Sequence, residues 1–429
     1  MPDSQDPGQN PNNQTSTQKI HPPRFLLFEY SELNPAMRAD PHALFDPQRR
    51  ERPVEHDGMI PAMLISAYGV GRESLMDRSL SRNFDDAAPE NPVIANVRRL
   101  NAAMAAEFGK HDSMLTLDDP DHGRVRGIVA EAFLKRAAGA QALVARIIEQ
   151  QIDSLAGRET FDAVNDYAAL IPIQVLGTIL GAPPEMFESL KVWTEAGQLA
   201  FDPTKSAEQE KLALDGRRGI LSHFKSLMEA RRIEPRDDLV SDLLAAQAGG
   251  APIDDNEILF NLFALLVAGH LTTADLIGNG IYLLLTHDAA RQAVLDDPKL
   301  INGAVEEILR YEPPISFSAR FAKADGVAGG CPYHKGDALV VSLISANRDE
   351  DRVDDPHRFD ITRRPNPHLS FGAGAHICIG APLARIEGQT AILQLLQRFP
   401  NLRRADDSPP DWRVVPGIRG LVKLDVTTI

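Results

Sequence analysis

Cysteine is scarce in this chain: Cys331 and Cys378 are the two among 429 residues. A disulfide scaffold is excluded at this size, and a reducing, cytoplasmic setting fits. Positive charge is also in short supply, with 45 Lys and Arg against 60 Asp and Glu and a net charge of −15. Nucleic-acid binding rests on Lys and Arg contacts to phosphate, so that class is set aside; a local basic patch stays free to dock an acidic partner. No apolar run reaches the roughly 20 residues that a membrane span needs. The most apolar stretch, 258–285, is broken by Gly269-His270, Thr272-Thr273, Asp275 and Asn279, and reads as a long buried helix of a soluble protein. Residues 1–17 are polar and lack the apolar core of a secretory leader. No G-x-G-x-x-G follows a strand and no P-loop occurs, which disfavours a doubly wound nucleotide fold.

What the chain does have is helical periodicity. Apolar residues recur about every 3.6 positions over 124–156, 167–180, 185–200, 209–232, 239–248, 256–286 and 288–295, with Gly and Pro between the runs. Short β-prone patches lie at 63–66, 338–343 and 421–426. A mainly α fold with a minor β region is expected. Residues 1–20 carry too few large apolar side chains to offset ordering entropy and are expected to be disordered.

The densest local signal is His368-Leu369-Ser370-Phe371-Gly372-Ala373-Gly374-Ala375-His376-Ile377-Cys378-Ile379-Gly380, running into an amphipathic helix over 381–399. Gly372, Gly374 and Gly380 allow tight bends and close approach to a flat ligand. Pro382 suits the first helical turn. Cys378 then stands at a helix N-terminus, where unpaired N–H groups favour a thiolate. An isolated cysteine in a glycine-rich turn is usually a small buried residue, but Phe371, Gly372, Gly374, His376, Cys378 and Gly380 together resemble the cysteine loop of the bacterial cytochrome P450 family. The resemblance implies haem b, with Cys378 as the sulfur ligand to iron, a ligation that pushes electron density toward O–O cleavage. Phe371 would stack near the thiolate side of the porphyrin.

Other motifs follow in family order. Glu307 and Arg310 share a helix face at i and i+3, and Arg363 follows before the cysteine loop. They resemble the family's structural Glu-Arg-Arg network. His122 and Arg126, four apart, can point at one anion; the resemblance assigns them to a haem propionate, with Arg320 and His376. The family normally has Thr where Gly123 stands. Ala268-Gly269-His270-Leu271-Thr272-Thr273 matches the oxygen-activating helix, with Gly269 opening a groove and Thr272 hydrogen-bonding at the oxygen site. Back-bonding of the Thr272 hydroxyl to a carbonyl one turn earlier is the plainer alternative. Leu271 replaces the family's usual acid. Protons would then come through Thr272 and water, or from Asp275; failing both, the chain would use a peroxide route or carry out a different chemistry.

The resemblance implies the triangular-prism fold, one haem domain over 21–429, and insertion of one dioxygen atom into a small or medium hydrophobic substrate. Electrons would come from NAD(P)H through ferredoxin reductase and ferredoxin, docking near Arg124, Lys135 and Arg136 on a monomer. Substrate contacts are expected from 91–104, Val267, Ala268, Leu271, Ile315, Phe317 and Ile418. A peroxide-using haem-thiolate enzyme and a non-catalytic haem sensor are the alternatives. Cys331 and His334 are too few for a metal site.

Overall fold

The computed structural model describes residues 24–110 and 112–429; the disorder expected for residues 1–20 falls outside them. The centre is a long helix, Asp255–Thr286. It starts at a reciprocal cap, in which the Asp254 side chain accepts from the Glu257 N–H and the Glu257 side chain accepts from the Asp254 N–H, satisfying two otherwise orphaned donors. Buried apolar residues lie all around it because other helices cover it on several sides. Gly280 shows how closely they approach: a Cβ there would meet Ile392 Cδ1 at 2.5 Å and Ile308 Cδ1 at 3.0 Å. Those two isoleucines belong to the helices Ala381–Arg398 and Ile301–Tyr311.

One apolar cluster extends from Met104 to Val426 and takes in residues from most of the helices. The helical stretches Ala163–Leu180 and Asp255–Thr286 are long and apolar enough to cross a membrane, yet 72% and 67% of their most apolar windows are buried inside the protein. Strands form a five-stranded sheet in the order Val54–His56, Ala62–Ile65, Ala338–Ser342, Phe317–Ala322, Leu80–Ser81. Its pairs are antiparallel except Ala62–Ile65 with Ala338–Ser342, which run parallel. A three-stranded sheet orders Thr160–Asp162, Asp425–Thr427 and Arg403–Arg404.

Several element boundaries differ from those the sequence pattern predicts. The run 124–156 is two helices, Asp121–Ala138 and Gln141–Ser154, separated at Gly139-Ala140, where glycine is a poor helix former. The run 167–180 begins inside a π-helical turn, Ala163–Ala168, whose first N–H groups are capped by Asp162. At 185–200 an α-helix, Phe187–Gly197, lies between 3-10 turns. The patch 421–426 contributes only its end to a strand, Asp425–Thr427, because Leu421 is engaged in a single bridge to Trp412.

Candidate functional site

A cavity of about 1060 Å³ is bounded by the central helix, the cysteine loop, the helix Pro92–Phe108 and part of the larger sheet. That volume lies at the top of the usual range for small-molecule and cofactor sites, about 300–1,000 Å³. Cys378 is open to it. The Cys378 N–H donates to Phe371 O at 2.8 Å and closes the loop. Gly372 and Gly374 have φ of +70° and +74°, the left-handed region that strains other residues. Gly380 does not: its φ is −79° and a Cβ there would stand 3.8 Å from Cys378 Sγ, an ordinary contact. Bending therefore rests on the first two glycines.

Burial raises the Cys378 thiol pKa, while the N–H groups of Gly380 and Ala381 and the charges of Arg126 and Arg385 draw it down. The helix-terminus effect expected from the sequence is present, and burial outweighs it. A cation bound at sulfur reverses that balance, since a coordinating thiol is deprotonated outright. The loop is braced from behind. Arg385 lies over the Phe371 ring, 4.5 Å from its centroid, and donates to Glu306 at 2.6 and 2.9 Å. Burial alone would raise the Glu306 carboxyl, but Arg385 and His368 hold it down at about 2.

Arg82, Arg126 and Arg320 give the cavity a cationic end, with the His376 imidazole among them. The arginine side chains there donate to backbone carbonyls: Arg126 to Ile377 O, Arg320 to Leu75 O and Ala319 O, and Arg82 to Leu115 O and Ala319 O. Desolvation, with Arg82 adding to it, lowers the Arg320 pKa to about 9. Desolvation and the neighbouring His122, Arg82 and Arg320 lower His376 to about 3. His122 does not line the cavity; its ring packs on His376, 4.0 Å between centroids, and its buried Nε2 has no partner among the described residues. This concentration of positive charge fits a group carrying two carboxylates, set against a sulfur that can hold its metal. Arg82 is not legible in the sequence, where nothing links it to positions 126, 320 and 376.

Thr272, Gly269, Leu271, Val267 and Ala268 line the cavity from the central helix, and Ile315, Phe317 and Ile418 from elsewhere. The Thr272 hydroxyl donates to Ala268 O at 2.7 Å, the plainer of the two roles for that residue, while remaining at the cavity wall. Gly269 has a packing reason: a Cβ there would meet Leu176 Cδ1 at 2.6 Å. Asp275 corrects an expectation. It does not line the cavity but is buried beside Arg413, whose Nε stands 3.3 Å away, and against Gly420. A proton route from Asp275 to Thr272 has no support in this placement. Instead the buried carboxyl on the cavity wall is Glu387, with Oε2 unpartnered and its pKa raised by desolvation to about 8.

Glu307 and Arg310 are fully buried, joined by two hydrogen bonds of 2.8 and 2.7 Å, with Arg363 Nε 3.5 Å from Glu307. None of the three touches the cavity. Of the expected docking cations, Arg124 is committed to Glu257 and Asp121, and Arg136 to Asp242 and Asp237. Both are neutralised by those partners, which leaves Lys135 exposed. Cys331 lies in a hairpin strand, Cys331–Tyr333, and among the described residues no cluster of three or more metal-ligating side chains occurs.

Comparison with known proteins agrees with this geometry. The family model described as Cytochrome P450 matches residues 185–413. Cytochrome P450 107B1 of Saccharopolyspora erythraea is 36% identical over 386 residues, covering 88% of this chain and 92% of that protein. The vitamin D(3) 25-hydroxylase of Pseudonocardia autotrophica is 36% identical over 400 residues, covering 90% and 94%. The crystal structure of the myxobacterial cytochrome P450 CYP267B1 in complex with myristic acid superposes with a TM-score of 0.83 at 35% identity, covering 92% of this chain and 98% of that one. On sequence, fold and the cysteine loop alike, the chain belongs to the bacterial cytochrome P450 family, monooxygenases that bind haem b iron through a cysteine thiolate.

Proposed function

We propose that this chain inserts one atom of dioxygen into a small or medium hydrophobic substrate, with electrons from NAD(P)H passed through ferredoxin reductase and ferredoxin. The observation that carries the reading is the shared cavity, to which Cys378, Thr272 and a cationic end all open. Haem, when bound, supplies the dioxygen activation. Cys378 would hold its iron as a thiolate. Arg126, Arg320 and His376, with Arg82 beside them, would hold its propionates by charge-assisted hydrogen bonds, and His122 would back the His376 ring. Glu307, Arg310 and Arg363 keep the segment before the cysteine loop in place.

Val267, Ala268, Leu271, Ile315, Phe317 and Ile418 exclude water and hold an apolar substrate against the central helix. The vitamin D(3) and myristic acid in the relatives' names are apolar in the same way. The Thr272 hydroxyl donates its hydrogen bond to Ala268 O and so leaves an oxygen that would accept from a water entering the cavity. Leu271 supplies no proton. Residues 21–429 act as one haem domain, monomeric and cytoplasmic, and Lys135 contributes to the ferredoxin face.

Isotopically labelled dioxygen tests this reading. With NADPH, ferredoxin and its reductase, one labelled atom is expected in the product of a substrate that shifts the haem from low to high spin. Label arriving only from hydrogen peroxide, with none from dioxygen, would overturn it.

A further inference from the structure

Arg217, on the helix Ala207–Ile233, also lines the cavity. A guanidinium has five N–H donors, and among the described residues it meets one acceptor: Asn101 Oδ1, 2.8 Å from Nη2. Its Nε is buried without a partner among the described residues. Below it lies the ring of Phe263, 5.1 Å from Cζ to the centroid, a cation–π contact that orients the group without neutralising it.

Several acids on its own helix and on the helix Pro92–Phe108 are already committed. Glu107 and Asp215 pair with Arg218, Asp215 also with Lys211, and Glu210 with Arg99. Arg217 forms no ion pair among the described residues, although its neighbour Arg218 forms two. Desolvation lowers its pKa to about 10, which leaves it charged at neutral pH. Arg217 is half-buried, and a charge drawn even partly out of water without a counter-ion is costly, so a chain holding one in a ligand cavity gains when the ligand supplies the counter-charge.

We infer that the substrate is an apolar molecule carrying a carboxylate, and that Arg217 with Asn101 is the subsite that takes this head group. Phe263 and Thr272 lie nine residues apart on one helix, about 13 Å at 1.5 Å per residue. An aliphatic body of medium length spans that distance and brings its far end to the level of Thr272. This inference rests on the monooxygenase reading above and refines its substrate class. Arg217 sets specificity and takes no part in the chemical step.

The test uses the haem-loaded protein, titrated with dodecanoate, dodecanol and methyl dodecanoate, and followed by isothermal calorimetry alongside the haem spin-state spectrum. Dodecanoate is expected to bind at least tenfold more tightly than the two neutral analogues. Arg217→Gln is expected to abolish that preference while leaving dodecanol binding within twofold, and Arg217→Lys to retain part of it. The reduced carbon monoxide spectrum of each variant reports haem-thiolate ligation separately, so loss of the haem site is distinguished from loss of the subsite. Equal affinity for acid and alcohol in the wild type, no binding of dodecanoate, or equal weakening of all three ligands by Arg217→Gln would overturn the inference.

Discussion

Leu271 places an apolar side chain beside Thr272, where the family's pattern has an acid, and the nearest acid along the same helix, Asp275, is turned to Arg413. Proton supply at the oxygen site is then expected to be poor, with reduced nicotinamide consumed without equivalent product. Leu271→Glu is expected to raise product formed per nicotinamide severalfold; equal, tight coupling in both proteins would contradict this. Glu387 gives a second residue-scale prediction. Its folded pKa is raised from 4.5 to about 8 by desolvation, so between those values the folded chain keeps a proton that the unfolded chain has lost. Stability from this group is complete below pH 4.5 and falls as pH rises to about 8, by at most about 1.4 kcal/mol per pH unit. Glu387→Gln, neutral throughout, is expected to flatten that slope in denaturant titrations from pH 5 to 8; superimposable profiles would count against it. The cysteine loop is legible because its residues are neighbours in sequence. Arg82, Arg217 and Glu387 are not, since each gains meaning from segments far along the chain. Asp275 misleads for the same reason: the spacing of three residues does share a helix face with Thr272, but Arg413, 138 positions later, claims the carboxylate.

Helices with unbroken apolar periodicity follow the sequence pattern closely: 239–248 matches Leu239–Ala248, and the run 256–286 starts one residue late. Two of the misses sit where local backbone chemistry overrides periodicity, at Gly139-Ala140 and at the π turn capped by Asp162, while helices such as Pro41–Glu51, Tyr68–Met76 and Pro92–Phe108 lie outside the predicted runs. The Glu307–Arg310 pair shows what spacing alone leaves out. On sequence it resembles a surface pair of well under about 1 kcal/mol, yet both side chains are fully buried, and Glu307 also accepts from the Asp360 N–H and Asn366 Nδ2. Removing one partner strands the other charge. Glu307→Ala is therefore expected to lose about 3–5 kcal/mol and a large share of its haem, measured by denaturant midpoint and haem content. Glu306→Ala, at a half-buried position, is expected to lose less. Equal, small losses in the two variants would contradict the bracing role.

At the scale of the whole molecule, residues separated by hundreds of positions are assembled around one cavity: Arg82 and Arg126 from the first third of the chain, Thr272 from the central helix, Cys378 near the end. The largest apolar cluster runs from Met104 to Val426, beside three smaller clusters built on the five-stranded sheet and the first helices. Family motifs make that architecture readable, while the charge distribution inside the cavity needs the fold. The central claim is that the Cys378 sulfur, as a thiolate, binds the haem iron. Its most direct measurement is the absorption spectrum of the reduced protein under carbon monoxide. The strongly red-displaced Soret band of thiolate ligation is expected in the wild type and its loss in Cys378→Ser; a wild type without that band, or a serine variant that keeps it, would contradict the claim.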